Sequence, residues 1–350
     1  MFQPLTSSDR VLVLAPHPDD ECLAAGGLLQ CAAAAGAALR VVYLTDGENN
    51  PWPQRFIERR WRIGPDERDR WRRRRQAESL ASLKVLGVAP EHVAFLSMPD
   101  QGLTNLLLSG GRETVGVLAD ELRRWRPTVL VEPAREDLHP DHSAAAVLIE
   151  LATKQLGLVP PPRRIAFIVH SLEHSHELPG DGALTLRADQ RETKRRAIRC
   201  HASQTRLRPK GLLAMAREHE NFHEVGATEE ESNHPVGQVD VEEEWVRMRL
   251  SMHVRLGAFG PATLLVLTAK DGLVRGVFEM PVGRQGDVAI RNCATPQTQG
   301  QGRYQGNRRQ GQAFFPKTLI EPGSTVFVKI ERRFGFFDEA GWRILPLQGQ

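Results

Sequence analysis

At 350 residues, 41% hydrophobic and 25% charged, the chain is long enough for two domains of about 100–200 residues each and apolar enough to bury their cores. That composition excludes a disordered or fibrous chain, and 46 Lys and Arg against 43 Asp and Glu, a net charge of +3, nominate no nucleic-acid partner. Four scattered cysteines (Cys22, Cys31, Cys200, Cys293) with no Cys-x-x-Cys pair argue against a disulfide framework and for reduced thiols in a cytoplasmic setting.

Met1–Arg10 lacks a basic stretch followed by an apolar one, so no secretory signal is expected. Val11–Ala15, Arg40–Thr45, Val93–Ser97, Thr128–Val131 and Ile165–Val169 are short, branched apolar runs. Runs of this kind suit strands covered on both faces of a parallel sheet. Between them lie helix-length stretches at Glu21–Ala35, Asp66–Leu86, Arg112–Trp125 and Asp141–Leu156. The segment Leu23–Leu39 is nearly free of polar residues, but it is Ala- and Gly-rich and short for a crossing of about 20 residues, so it reads as a buried helix rather than a membrane span. Alternation of strand and helix predicts an α/β fold, a Rossmann-like and mainly parallel sheet with flanking helices, over residues 1–225. Residues 226–350 read as a β-rich accessory domain. Within it, Thr263–Lys270 and Leu273–Met280 flank Asp271-Gly272, the dipeptide of a type I′ hairpin. Thr325–Glu331 and Trp342–Leu345 add further strands. Gln297–Gln312, with six Gln and four Gly in sixteen residues, predicts a mobile loop.

Ala15-Pro16-His17-Pro18-Asp19-Asp20-Glu21 stands where the first strand ends and the first helix begins. His17 and Asp20 are three apart across that turn, so a tight loop can aim both at one point, while Asp19 projects differently. His139-Pro140-Asp141-His142 follows the strand Thr128–Val131 through a short loop. Both clusters lie at carboxyl ends of strands, where open α/β sheets bind ligands. His17, Asp20 and one histidine of the second cluster make a three-ligand His/carboxylate/His set, which suits a catalytic rather than a structural zinc. A spare carboxylate beside it is what a general base requires. The plain alternative is that His-Pro and Asp-Asp mark turns and that Asp20 caps a helix. Two clusters of ligand types at matching topological positions favour the metal.

These blocks resemble the "AHPDDE" and "HPDH" motifs of the LmbE/PIG-L deacetylases, zinc enzymes that remove N-acyl groups from amino sugars and related glycoconjugates. Pro16 departs from the usual Ala before the His, with ligand spacing intact. Arg75-Gln76-Ala77-Glu78 with Leu86-Gly87-Val88, Leu96-Ser97-Met98-Pro99-Asp100 and His201-Ala202-Ser203-Gln204 resemble further family marks, in order, over residues 11 to about 206. The resemblance implies His17, Asp20 and His142 as ligands of one Zn2+ per chain, with other divalent cations able to substitute. It implies Asp19 as general base, His139 as support for the oxyanion or the leaving amine, and Asp141 as its partner. A cationic His139 would stabilise a developing oxyanion. The expected function is metal-dependent hydrolysis of an N-acetyl or N-acyl amide on an amino sugar or glycoconjugate. The alternatives are an amidase on a non-sugar or thiol-conjugate substrate, a glycan-binding protein with a relict metal site, and a non-haem iron oxygenase.

Ten Arg against four acidic residues over Arg55–Arg75, with Trp61 and Trp71, read as a solvated helix face with aromatic anchors; the segment also follows Thr45-Asp46-Gly47-Glu48 and would border a cleft for an anionic sugar. Arg75, Glu48 and His170 are the candidate substrate contacts. His174 and His176, with Glu173 and Glu177, read as a loop at the cleft rim. His201 and Gln204 either shape the pocket or pack a helix. The expected partner is a small-molecule or glycoconjugate substrate, with no nucleic acid and no membrane span, and exposed strand edges leave homo-oligomer formation open.

Overall fold

The computed structural model describes residues 2–171, 182–226, 234–252, 258–295 and 297–347. The chain divides into two compact units. Residues 1–103, 122–134 and 158–227 form the first, and residues 104–121, 135–157 and 228–350 the second. One break between the units falls near residue 227, and two segments of the N-terminal half group with the C-terminal one.

In chain order the elements begin with β1 (Arg10–Ala15), α1 (Asp20–Ala34), β2 (Ala38–Thr45), α2 (Pro51–Glu58), α3 (Pro65–Val85) and β3 (Val93–Met98). Next come α4 (Leu103–Leu108), α5 (Arg112–Trp125), β4 (Val129–Pro133), α6 (Pro140–Leu156), β5 (Arg163–Phe167) and β6 (Gly182–Thr185). Then follow α7 (Ala188–Cys200), α8 (Ala202–Thr205), α9 (Pro209–Leu213) and β7 (His219–Glu224). The remainder is strands: β8 (Val236–Val241), β9 (Trp245–Ser251), β10 (Ala258–Lys270), β11 (Leu273–Val282), β12 (Gly286–Asn292), β13 (Thr298–Gly306), β14 (Gln310–Pro316), β15 (Thr325–Gly335) and β16 (Arg343–Ile344).

The first unit is built on a seven-stranded sheet in the order β3-β2-β1-β4-β5-β7-β6. β3 through β5 are parallel, and β7 and β6 close one edge antiparallel. The parallel strands are the apolar runs read from the sequence. Val11, Val13, Val41, Tyr43, Val129 and Val131 meet α1, α3 and α7 through Leu28, Leu29, Leu83, Ala197 and Ile198 in one core. β7 was not foreseen; its sequence, His-Glu-Asn-Phe-His-Glu, buries only Glu220 and Phe222, so its apolar signal is a single residue. From β1 the chain winds outward to β2 and β3, then returns to place β4 on the other side of β1. The sheet's switch point therefore lies between β1 and β4, where such sheets open a crevice beyond the strand ends.

The second unit carries a nine-stranded antiparallel sheet, ordered β16-β15-β10-β11-β12-β13-β14-β9-β8. Asp271 (φ 53°) and Gly272 (φ 74°) turn β10 into β11 with Lys270 opposite Leu273, the type I′ geometry expected of Asp-Gly. The two ends of the sheet approach each other: the Arg343 guanidinium of β16 donates to the carbonyls of Val236 and Gly237 on β8.

The expected mobile loop at residues 297–312 is instead the β13–β14 hairpin. Backbone ladders hold it irrespective of side-chain polarity, while Tyr304, Ala313 and Phe315 supply its buried contacts. The glycines have a role: a Cβ on Gly302 would stand 2.8 Å from the Phe314 carbonyl and 3.1 Å from Ile290 and Met280. Among the described residues no helix is long and apolar enough to cross a membrane, and all four cysteines are free.

Candidate metal and catalytic centre

The exit from β1 is tied down before it reaches His17. Thr45 donates its N–H and its hydroxyl to the Pro16 carbonyl at 3.0 and 2.9 Å, which joins the ends of β1 and β2. Asp20 Oδ2 then accepts the His17 backbone N–H at 2.8 Å and lies 3.2 Å from His17 Nδ1. So Asp20 does stabilise the turn, and it does so while facing the imidazole. The other ring nitrogen, His17 Nε2, is 3.3 Å from Asp100 Oδ1. Asp100 was overlooked as a site residue, although the Leu-x-x-Pro-Asp mark contains it. Burial works against its charge, but the His17 imidazole holds its carboxyl below the usual range. Asn49 N–H donates to Asp100 Oδ2 at 2.8 Å, and Asp100 N–H donates to Glu48 Oε1 at 3.1 Å.

Asp19 precedes α1 with φ 126° and ψ −27°, a region rarely held by a residue bearing a side chain. Its carboxylate lies 3.1 Å from Arg75 Nη2. Burial pushes the Asp19 carboxyl up to about 6 against the pull of Arg75, into a range where a group exchanges protons near neutrality. Arg75 itself is 5% exposed, and its donors are directed to the Pro18 carbonyl, the Gly47 carbonyl and Asp19. Glu48 is half-buried in the loop after β2, its pKa raised by burial. Arg75 and Glu48, expected as substrate contacts, thus face the loops of the first unit. His170 sits half-buried just beyond β5. Glu173, His174, His176 and Glu177 lie outside the described residues.

Two further sequence marks join each other. Ser203 donates its N–H and hydroxyl to Glu78 on α3 at 2.9 and 2.5 Å. His201 Nε2 lies 3.1 Å from Glu21 Oε1, and the Glu21 carboxylate raises the His201 pKa despite the desolvation that opposes it. The basic segment is largely neutralised locally: Arg70 pairs with Glu58, Arg60 with Glu67, Arg73 with Asp69, and Arg74 with Glu78. Trp71 is fully buried, whereas Trp61 is 80% exposed and anchors nothing.

In the second unit, His139 caps α6. Its Nδ1 accepts the Asp141 backbone N–H at 3.2 Å, the geometry of a ring whose proton sits on Nε2. Asp137 Oδ1 accepts the His139 N–H at 2.9 Å, and Asp137 Oδ2 lies 3.1 Å from His142 Nδ1. A carboxylate at Nδ1 fixes the tautomer and presents the opposite nitrogen as a ligand, the usual support of a metal-binding imidazole. Asp137, Asp141 and His142 are all at most 1% exposed. Asp137 carries no motif of its own in the sequence. The loop is braced by the far end of the chain: Asp338 N–H donates to the Leu138 carbonyl and Trp342 N–H to the Arg135 carbonyl, each at 2.9 Å. Phe336 meets the His139 ring edge-on at 5.2 Å.

Each unit therefore holds a buried His/Asp group, and the chemistry of the first fits a divalent cation. A neutral imidazole has a single N–H and can satisfy only one carboxylate. His17 faces two, Asp20 and Asp100. Buried carboxylates at this density are paired or ligate metals.

The sequence profile of the PIG-L family, GlcNAc-PI de-N-acetylase, matches residues 12–153, which contain both motif stretches. The 1D-myo-inositol 2-acetamido-2-deoxy-alpha-D-glucopyranoside deacetylase of Mycobacterium avium (strain 104) is 32% identical over 151 residues, 39% of this chain and 49% of that one. The enzyme of the same description from Mycobacterium sp. (strain KMS) is 33% identical over 147 residues, 38% and 46% of the two chains. The chain spans about half the length of the curated relatives it matches. A solved N,N'-diacetylchitobiose deacetylase from Pyrococcus horikoshii aligns with a TM-score of 0.48 at 25% identity, covering 63% of this chain and 85% of that one.

Proposed function

We propose, from the match of residues 12–153 to the PIG-L (LmbE-like) profile, that this protein hydrolyses the N-acetyl amide of an amino sugar with the help of one divalent metal ion. His17, Asp20 and His142 would hold the ion. The observation that carries this reading is the pairing of β1 with β4 at the switch point of the sheet. Each of these strands is followed along the chain by a buried His–Asp pair, His17–Asp20 after β1 and Asp137–His142 after the loop that leaves β4. The oxygen and nitrogen donors suit zinc, though other divalent cations share that preference.

When bound, such an ion supplies the Lewis acidity that activates water and polarises the amide carbonyl. The protein's own groups do the rest. Asp19, whose carboxyl is pushed up to about 6 by burial, takes the proton of the attacking water and returns it to the departing amine. His139 offers its Nε2–H to the carbonyl oxygen as negative charge develops there, a contribution of about 2.7–4 kcal/mol per donor in other enzymes. Asp141 fixes that tautomer through its backbone N–H. The wider assignment to amino sugars draws on the deacetylase relatives, whose described substrate is an acetamido sugar joined to inositol.

The test is direct. Purified protein should hold about one divalent metal per chain and release acetate from N-acetylated amino sugars, with activity lost to a chelator and restored by zinc. His142→Ala should lose the metal. Asp19→Ala should keep the metal and lose turnover, and normal turnover in that variant would exclude the proposed base.

A further inference from the structure

The strained backbone at Asp19 is imposed from outside. The peptide unit between Pro18 and Asp19 is gripped at both poles: Arg75 donates to the Pro18 carbonyl, and Glu21 Oε2 accepts the Asp19 N–H at 2.9 Å. Glu21 is held in turn, because its Oε1 lies 3.1 Å from Ser82 Oγ of α3 and 3.1 Å from His201 Nε2 at the junction of α7 and α8. Both Glu21 oxygens are thus occupied by protein donors. Glu21 and Ser82 are completely buried and His201 is 1% exposed, so none of the three can touch a substrate.

We propose that Glu21 and His201 are positioning residues that clamp the Pro18–Asp19 peptide and so aim the Asp19 carboxylate. The clamp rests on the assignment of Asp19 as the base. It gives a role to the last residue of the first motif and to the His-x-Ser-Gln mark, which the metal site leaves unexplained. A rival reading makes Glu21, Cys22 and His201, whose ligand atoms lie within 4.8 Å of one another, a second metal site. The complete use of the Glu21 oxygens by Asp19, Ser82 and His201 favours the clamp.

The experiment compares His201→Leu, which removes the donor, with His201→Gln, whose amide can still donate to Glu21. For His201→Leu the expected result is a kcat lowered by about 10–100-fold, the scale of a misplaced catalytic group, with KM within about twofold and metal content unchanged. His201→Gln should recover most of kcat, and crystals of the leucine variant should show Asp19 released from positive φ. Wild-type kcat in His201→Leu would overturn the clamp, as would Asp19 keeping φ near 126° in that variant. A wild-type content of two metals, one of them lost in His201→Leu, would replace it with the rival site. Should the leucine variant fail to fold, Ser82→Ala, which removes the other donor to the same oxygen, should give a smaller kcat loss at unchanged KM; an unchanged kcat there rejects the clamp. Asp19→Asn separates the two claims: full turnover in that variant defeats the base assignment itself, whereas an inactive Asp19→Asn beside a fully active His201→Leu defeats the clamp alone.

Discussion

As the proposed ligand, His142 would owe its orientation to a residue five positions earlier. Asp137 Oδ2 lies 3.1 Å from His142 Nδ1, where a carboxylate holds the proton on that nitrogen and turns the opposite one toward a metal. Replacing Asp137 by Ala should weaken metal affinity by about 10–100-fold, the usual effect of losing such a partner, measured by competition with a chromogenic chelator. Asp19 offers a second test at this scale. At φ 126° glycine relaxes where alanine stays strained, so Asp19→Gly should be more stable than Asp19→Ala by about 1 kcal/mol or more in urea unfolding. The motif residues themselves are legible in the sequence because ligand types at short spacing are a local signal. Asp137 is not, since it is defined by the imidazole it faces, and Asp100 was legible as part of a motif but not as the partner of His17. Glu21 was readable as part of a motif, but its partner His201 stands 180 residues away.

At the scale of the element, α1 shows why its sequence is so poor in large side chains. The helix breaks its regular geometry at Ala25 (φ −126°, ψ 18°), and Glu220 of β7 bonds the freed N–H groups of Gly27 and Leu28 at 2.6 and 2.9 Å. Lys194 of α7 reaches the same carboxylate at 2.6 Å, with both side chains at most 2% exposed. A Cβ on Gly27 would come within 2.2 Å of Leu186 Cδ2. The Ala- and Gly-rich run that resembles a membrane span is thus the footprint of close helix packing around a buried ion pair. Glu220→Ala should cost about 3–5 kcal/mol in chemical denaturation, because it strands the Lys194 ammonium in the interior, whereas a Lys194→Met, Glu220→Leu double variant should recover much of that loss. The hairpin at Asp271-Gly272 was foreseeable because its turn chemistry is local. The β13–β14 hairpin was not, because its Gln- and Gly-rich strands take their stability from ladders to β12 and β9.

For the molecule as a whole, a half-buried histidine ties the two ends of the C-terminal sheet together. His234 Nδ1 accepts the Val236 N–H at 3.0 Å, and Nε2 donates to the Gly341 carbonyl at 3.1 Å. Burial lowers its pKa below the ordinary value of 6.5. The unfolded chain therefore binds a proton more readily than the folded one in the window just below 6.5, so stability should be fully present above that pH and decline as pH falls through it. The urea midpoint of the wild-type protein should drop between about pH 7 and pH 5, and that slope should flatten in His234→Gln. An equal slope in the variant would assign the dependence to other groups.

Order along the chain is also not the order of packing. Residues 104–121 and 135–157 group with the C-terminal sheet, and Asp338 and Trp342 hold the loop that carries His139. What the sequence by itself determined is the chemistry and the local geometry. It set the His and Asp residues at ligand spacing, the alternation of apolar runs that makes a parallel sheet, and the Asp-Gly turn, because each depends on neighbours within a few positions. Only the tertiary structure decided which carboxylate orients which imidazole, why Asp19 is held in a strained backbone, and which unit receives the second motif. Those outcomes depend on hydrogen bonds between residues brought together by folding, whose burial makes each unmatched donor or acceptor costly.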